Sequence, residues 1–393
     1  MNTKFLLLAR KSEKFVRDTY RYLHQHPELS FQEYNTSAFI KSELERMGIT
    51  YRDKIADTGI LGRIEGVNPQ KRVVALRADI DALPIAEKND ISFRSQHDNV
   101  MHACGHDAHT ACLLGAARIL DKLKNEFEGT VLLIFQPGEE KAPGGAGLML
   151  REGVFDEVKP DVIVAQHVSV DYGVGELAFA TGKIMASADE VHITVKGKGG
   201  HGALPHLCND TVLAASQTIV ALQQIKSRLC PPQIPMILTF GKILAEGATN
   251  IIPNEVKISG TFRTFDEAWR IEAKEHIRRI ATETCLAYGC EAKIEIPAGY
   301  PCVVNDKEIT NRAEEAAVKL IGSNNVKGLE QRMTSEDFGF FSQQYPCCFY
   351  RFGVKGKSNF NAGGLHTSTF CIDEDALEIG TAALAWIALE MLK

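Results

Sequence analysis

Three short runs constrain the fold of this chain more than any other feature: 72–77 (Arg-Val-Val-Ala-Leu-Arg), 130–135 (Thr-Val-Leu-Leu-Ile-Phe) and 161–165 (Asp-Val-Ile-Val-Ala). Each is continuously apolar and rich in β-branched residues, without alternation. That is the pattern of strands covered on both faces. Between the first two, 110–123 sets Leu113, Leu114, Ala117 and Leu120 on one side of a helix. Strand, helix, strand in this order predicts an α/β fold: a mixed, mostly parallel sheet covered by helices, with right-handed crossovers. Upstream, 12–26 and 33–48 carry helical spacing, broken at His26-Pro27-Glu28. In the second, Phe39, Ile40, Leu44 and Met47 share a face and Gly48 supplies the stop.

The pattern changes near residue 185. Residues 190–195 alternate, as a half-exposed antiparallel strand does. A glycine-rich turn follows at 197–202, then a helix over 210–228, strands at 236–240 and 256–263, a helix over 266–288 and a strand at 291–296. Strand-helix-strand-strand-helix-strand is the order of a ferredoxin-like α+β sandwich. The predicted division is a catalytic domain of 1–185 and 297–393 around an inserted lid or dimerisation domain of 186–296. A length of 393 residues suits more than one core.

Composition excludes some partners. The net charge is −6, and no dense run of Lys and Arg offers a nucleic-acid footprint. No apolar stretch nears the ~20 residues of a membrane span, and 5–9 is too short for a signal segment and is followed by Arg10-Lys11. Ten scattered cysteines without a repeating frame read as reduced thiols of a cytoplasmic protein.

The chemistry collects at the carboxyl ends of the predicted strands, the edge where open α/β sheets bind ligands. Asp79 and Asp81 follow the first strand, Glu139 and Glu140 the second, and His167 the third. Buried carboxylates are costly unless paired or metal-bound, so their convergence favours a metal. Cys104 and His106 add a thiol and an imidazole in a loop before a helix, where the helix N-terminus is expected to lower the thiol pKa. Alone, a Cys-x-His pair reads as readily as a buried capping loop. With the strand-end acids and His167, the metal reading gains.

These residues lie in segments that resemble one metallo-amidohydrolase family, that of hippurate hydrolases, auxin-conjugate hydrolases and N-acetyldiaminopimelate deacetylases. The segments are 77–84 (Arg-Ala-Asp-Ile-Asp-Ala-Leu-Pro), 101–109 (Met-His-Ala-Cys-Gly-His-Asp-Ala-His), 135–140 (Phe-Gln-Pro-Gly-Glu-Glu), 199–205 (Gly-Gly-His-Gly-Ala-Leu-Pro), 249–253 (Thr-Asn-Ile-Ile-Pro), 260–263 (Gly-Thr-Phe-Arg) and 335–338 (Ser-Glu-Asp-Phe). The resemblance implies five metal ligands, Cys104, His106, Glu140, His167 and His366. If Cys104 bridges, five ligands make six bonds to two divalent ions, leaving each ion open to water or substrate. A thiolate favours zinc, cobalt or nickel, and manganese is also met in the family. Glu139 is implied as general base, with Asp79 and Asp81 orienting ligand imidazoles. His201 is implied to stabilise the oxyanion, usually across a homodimer formed through the inserted domain, and Asn250 and Arg263 to bind the substrate's amide and carboxylate. Near the last ligand the chain departs from the family pattern: Cys371 stands where an Asp is common.

The function implied is hydrolysis of small N-acyl amino acids by an activated water. A di- or oligopeptidase with the same metal machinery is the nearest alternative. A thiol hydrolase using Cys104 leaves Glu139, Glu140 and His167 without a role. A lapsed, metal-dependent binding protein sits poorly with a complete set of ligands and base.

Overall fold

The computed structural model describes residues 2–356 and 363–393. In chain order the elements are α1 (Asn2–Gln25), α2 (Tyr34–Met47), β1 (Thr50–Ile55), β2 (Gly59–Glu65), β3 (Val73–Asp79), α3 (His106–Lys122), β4 (Thr130–Gln136), α4 (Gly145–Arg151), β5 (Val162–Gly173), β6 (Leu177–Phe179) and β7 (Gly182–Met185). There follow β8 (Ser187–Lys196), β9 (Gly200–His201), α5 (Thr211–Leu222), β10 (Met236–Leu244), β11 (Ile251–Ile252), β12 (Glu255–Thr264), α6 (Glu267–Ala287) and β13 (Glu291–Glu295). The chain ends with β14 (Val303–Asn305), α7 (Lys307–Ile321), β15 (Val326–Gly328), α8 (Gly339–Ser342), β16 (Cys347–Lys355) and α9 (Ala376–Leu392).

Two compact units result. One is Met1–Ile184 with Val304–Gln331 and Phe340–Lys393; the other is Met185–Val303 with Arg332–Gly339. The expected division at 186–296 therefore differs at two places. The second unit runs on to Val303, and it takes back Arg332–Gly339, which the sequence division left in the catalytic domain. Backbone bonding makes that return: Ala186 N–H donates to the carbonyls of Arg332 and Thr334, at 3.1 Å each. No side-chain periodicity signals such a pairing.

The first unit holds an eight-stranded sheet in the order β1-β2-β4-β3-β5-β16-β6-β15. Its centre is parallel, β4 with β3, β3 with β5 and β5 with β16, while β1–β2 and β2–β4 are antiparallel. Every residue of β3 and β4 is buried, as their unbroken apolar runs require. Leu76, Leu133 and Val164 of the sheet share one core with Leu113 and Leu114 of α3 and Leu384 and Ile387 of α9. Gly48 closes α2 in the left-handed conformation at φ 72°, the stop that its position predicts. α3 starts at His106, four residues ahead of the helix expected at 110.

The second unit's sheet runs β10-β12-β8-β13, antiparallel throughout, which is the ferredoxin-like order. Val191, Ile193, Phe262, Trp269 and Ile277 lie in its core. Asp189 is buried there and accepts from Arg270 Nε and Nη2 (2.7 and 2.8 Å), Lys274 Nζ (2.7 Å) and Gly299 N–H (3.1 Å). Burial would raise its pKa, but Arg270 and Lys274 outweigh that and hold it below the usual carboxylate range. Its contribution to stability is therefore present above the unfolded carboxyl pKa and is lost as pH falls through the folded one. Asp189→Ala removes the acceptor of Arg270 Nε and Nη2, leaving that buried guanidinium its Nη1 pair with Glu267 (2.9 Å), and is expected to destabilise this unit by about 3–5 kcal/mol, read as an earlier urea transition.

Candidate metal centre

The centre is built in the first unit, at the carboxyl ends of β3 and β4 and beside the middle of β5. Donor atoms of Cys104, His106 and His167 lie within 4.8 Å of one another, and so do those of Cys104, Glu140 and His366, and those of His106, Glu139 and Glu140. All five residues expected as ligands, and Glu139, thus join one cluster through shared members. Cys104 Sγ is 3.5 Å from His167 Nε2 and 3.3 Å from His366 Nε2, which is itself 3.0 Å from Glu140 Oε1.

Local backbone sets these positions. Gly105 caps α3 at φ 82°, and a Cβ there would fall 2.6 Å from a methyl of Val168. A glycine lets the 102–105 loop turn tightly enough to bring Cys104 beside β5. His366 also has a positive φ, 61°, in the turn before α9, and its N–H donates to Ala103 O at 2.8 Å. That bond ties the distant histidine to the Cys104 loop. His167, expected just past its strand, sits inside it instead. β5 continues to Gly173 because β16 pairs with it in parallel, with Arg351 opposite His167.

The imidazoles are oriented by their other nitrogens. His106 Nδ1–H donates to the Asp81 carbonyl (2.9 Å) and carboxylate (3.1 Å). Its Nε2 is buried and has no hydrogen-bond partner. His167 Nδ1–H donates to the Val168 carbonyl (2.8 Å), which leaves Nε2 toward the thiol. Carbonyl or carboxylate support of this kind fixes the tautomer that a metal needs. His109 is different. Its Nδ1–H donates to Asp79 Oδ1 (2.6 Å) and its Nε2 accepts from Val168 N–H (2.9 Å), so both nitrogens are engaged and it braces the site. Asp79 also pairs with buried Arg77 at 2.7 Å. His24 bonds Asp107 (2.7 Å) in the first turn of α3 and Glu87 (3.1 Å).

The electrostatics ask for a cation. Burial opposes a charge on His106, but Asp79, Asp81 and Glu140 prevail and lift its pKa to about 10. Burial, then Arg351, drives His167 well below the ordinary value and keeps it a neutral donor. The helix N-terminus was expected to lower the Cys104 thiol. Instead, burial and the charges of Glu140, Glu139 and Asp79 push it well up. A thiolate there requires positive charge beside it. A buried imidazole nitrogen without a hydrogen bond, acids and a thiol at one point fit divalent ions.

The other expected residues lie in the second unit. His201 is exposed on β9, opposite Ile251 of β11, and Gly202 N–H donates to Asn250 O (2.8 Å), so His201 and Asn250 share one short ribbon. The His201 Nδ1 accepts from Ala203 N–H at 3.0 Å. Arg263 is on β12, where its Nη1 donates to the Met333 carbonyl (2.9 Å) and Ser335 Oγ (3.4 Å).

Acids, imidazoles and a thiol at the carboxyl edge of an open α/β sheet make the donor set of a metallohydrolase. The family model described as Peptidase family M20/M25/M40 matches residues 75–390, and the chain belongs to that family. It is 38% identical to thermostable carboxypeptidase 1 of Saccharolobus solfataricus, covering 97% of this chain and 96% of the relative. It is 39% identical to N-acetyl-L-cysteine deacetylase of Bacillus subtilis, covering 93% and 85%. A third relative, IAA-amino acid hydrolase ILR1-like 5 of Arabidopsis thaliana, is 37% identical over 99% and 89%. Among solved structures, a putative aminohydrolase of methicillin-resistant Staphylococcus aureus superposes with a TM-score of 0.93 at 34% identity, covering 100% of both chains. A dinuclear metal-binding peptidase of the M20 family from Bacillus subtilis gives 0.82 at 34%, covering 98% and 99%. This chain is a metal-dependent amidohydrolase. No helix among the described residues is long and apolar enough to cross a membrane.

Proposed function

We propose that this enzyme hydrolyses the amide bond of N-acyl amino acids, with two divalent ions held by Cys104, His106, Glu140, His167 and His366. The observation that carries the reading is the buried Nε2 of His106, which makes no hydrogen bond, has the Asp79 carboxylate 3.6 Å away and groups with the carboxylates of Glu139 and Glu140. Cys104 would be the ligand shared by the two ions, and zinc, cobalt, nickel and manganese are the candidate ions. Ions so held supply Lewis-acid polarisation of an amide carbonyl and make water more acidic. Glu139 takes the proton of the attacking water and passes it to the leaving amine nitrogen. Asp79 braces through His109, and Asp81 holds the His106 ring in place.

His201, supplied across a homodimer, steadies the oxyanion, while Asn250 and Arg263 hold the substrate's amide and carboxylate. Exposed apolar residues support a dimer through the second unit: Val212, Leu213 and Val220 of α5, with Ile237, Ile243 and Leu244 of edge strand β10. The relatives named as a deacetylase and an amino acid conjugate hydrolase support acyl amino acids. Those named carboxypeptidases favour a second reading, a peptidase that needs the same free carboxylate. Rates on N-acetyl-L-methionine, N-benzoylglycine and matched dipeptides separate the two.

Removal of metal should abolish the activity, and zinc, cobalt, nickel or manganese should restore it. Elemental analysis of the active enzyme should then count two ions per chain. Full activity of a thoroughly chelated enzyme refutes the reading.

A further inference from the structure

The stretch that carries Glu139 and Glu140 leaves β4 through Pro137 and Gly138, with Gly138 at φ 57°. Against it lies the turn between α1 and α2. Phe31, itself at φ 65°, sets its ring so close that a Cβ on Gly138 would fall 2.4 Å from it. Glu33 stands immediately before α2, where an acid normally reads as helix N-terminal charge, yet it makes no side-chain cap bond. It is fully buried. Its Oε1 accepts from the N–H groups of Phe31 (2.9 Å) and Gly138 (2.8 Å), and its Oε2 accepts from the Thr58 hydroxyl (2.6 Å). Ser30 Oγ donates to Asp81 Oδ2 (2.6 Å), which also accepts from Glu140 N–H (3.0 Å). One turn therefore holds the acid-bearing stretch directly at Gly138 and, through Asp81, at Glu140.

We propose that Glu33 is a positioning residue for the hydrolytic reaction, fixing through the Gly138 N–H the directions in which Glu139 and Glu140 leave the sheet, a role that rests on Glu139 as base and Glu140 as ligand. Two neighbouring carboxylates with different tasks need a backbone that cannot swivel, because a misplacement near 1 Å costs about 10²-fold in rate. An apolar residue at position 33 would leave two N–H groups without their acceptor, and buried donors are rarely left unsatisfied. The acceptor oxygen matters here, not the charge. Burial and then the charge of Asp81 raise the Glu33 pKa to about 7. A protonated Glu33 still accepts at Oε1 and can donate to Thr58. Glutamine can do the same, with its carbonyl toward Phe31 and Gly138 and its amide toward Thr58.

The test compares Glu33→Ala, Glu33→Gln and Thr58→Val in the zinc-loaded full chain. The readouts are amide exchange over 136–141, zinc affinity against a chromophoric chelator, and kcat and KM on N-acetyl-L-methionine. Glu33→Ala should lower kcat by about 10–100-fold with KM within about threefold, and should speed exchange of the Gly138 amide. Glu33→Gln should stay within about threefold of wild type in every readout. Thr58→Val should fall between them and serves as the deciding variant if Glu33→Ala does not fold. Wild-type kcat and exchange in Glu33→Ala, or in Thr58→Val standing in for it, overturn the proposal, as does a Glu33→Gln loss equal to that of Glu33→Ala. A Glu139→Gln control reports separately on the base. If that control keeps full activity the base assignment falls, while Gly138 exchange and zinc affinity still decide whether Glu33 holds the stretch.

Discussion

Glu139→Gln is expected to lower kcat on N-acyl amino acids by about 10²–10⁴-fold, with KM within about threefold and the bound ions retained. Glu139 is buried and shares a donor group with His106 and Glu140. Glutamine matches its shape, so packing survives and only the proton acceptor is removed. A group used in the transition state alone changes kcat and not KM. Steady-state kinetics beside elemental analysis separate this from a structural effect, because a variant that also sheds metal has lost the site and not the base. Retention of wild-type kcat with two ions bound would falsify Glu139 as the base.

How much of this was legible in the sequence depends on the kind of residue. β3 and β4 announce themselves, because strands buried on both faces are written as unbroken apolar runs. β16 does not: Arg351 interrupts its apolar run, although β16 is buried from Cys347 to Val354 and extends β5 past His167. The acids at strand ends are visible because such residues are out of place at that depth. His366 is not visible by spacing, since it approaches Cys104 from 262 residues away through an irregular turn; only the family resemblance points to it. His201 and Asn250 are seen in the sequence as separate residues and in the fold as neighbours on one ribbon. Glu33 reads as an ordinary helix-start acid, because nothing local says that its side chain turns back to Gly138.

Cys104→Ala is expected to leave fewer than two ions per chain and to cost about 10³-fold or more in activity, since losing even an outer partner of a ligand costs 10–100-fold. The larger loss follows from its place between His167 and His366. Cys104→Asp keeps an anionic donor at the position where the proposed site has Cys104 shared by both ions, but exchanges a soft donor for a hard one. It should retain two ions and shift preference from zinc toward manganese. The same residue provides the test of the thiol-nucleophile alternative. A catalytic thiol needs a lowered pKa and access, whereas Cys104 is 7% exposed and its thiol is pushed well up by burial and neighbouring carboxylates. Iodoacetamide at pH 8 should therefore label Cys104 in the chelated protein more slowly than a free thiol, with mass spectrometry reading the site. Rapid alkylation, together with activity that survives chelation, would assign the chemistry to the thiol and not to the ions. Slow labelling with activity that returns only on adding metal would make Cys104 a thiolate that exists because a cation lies beside it.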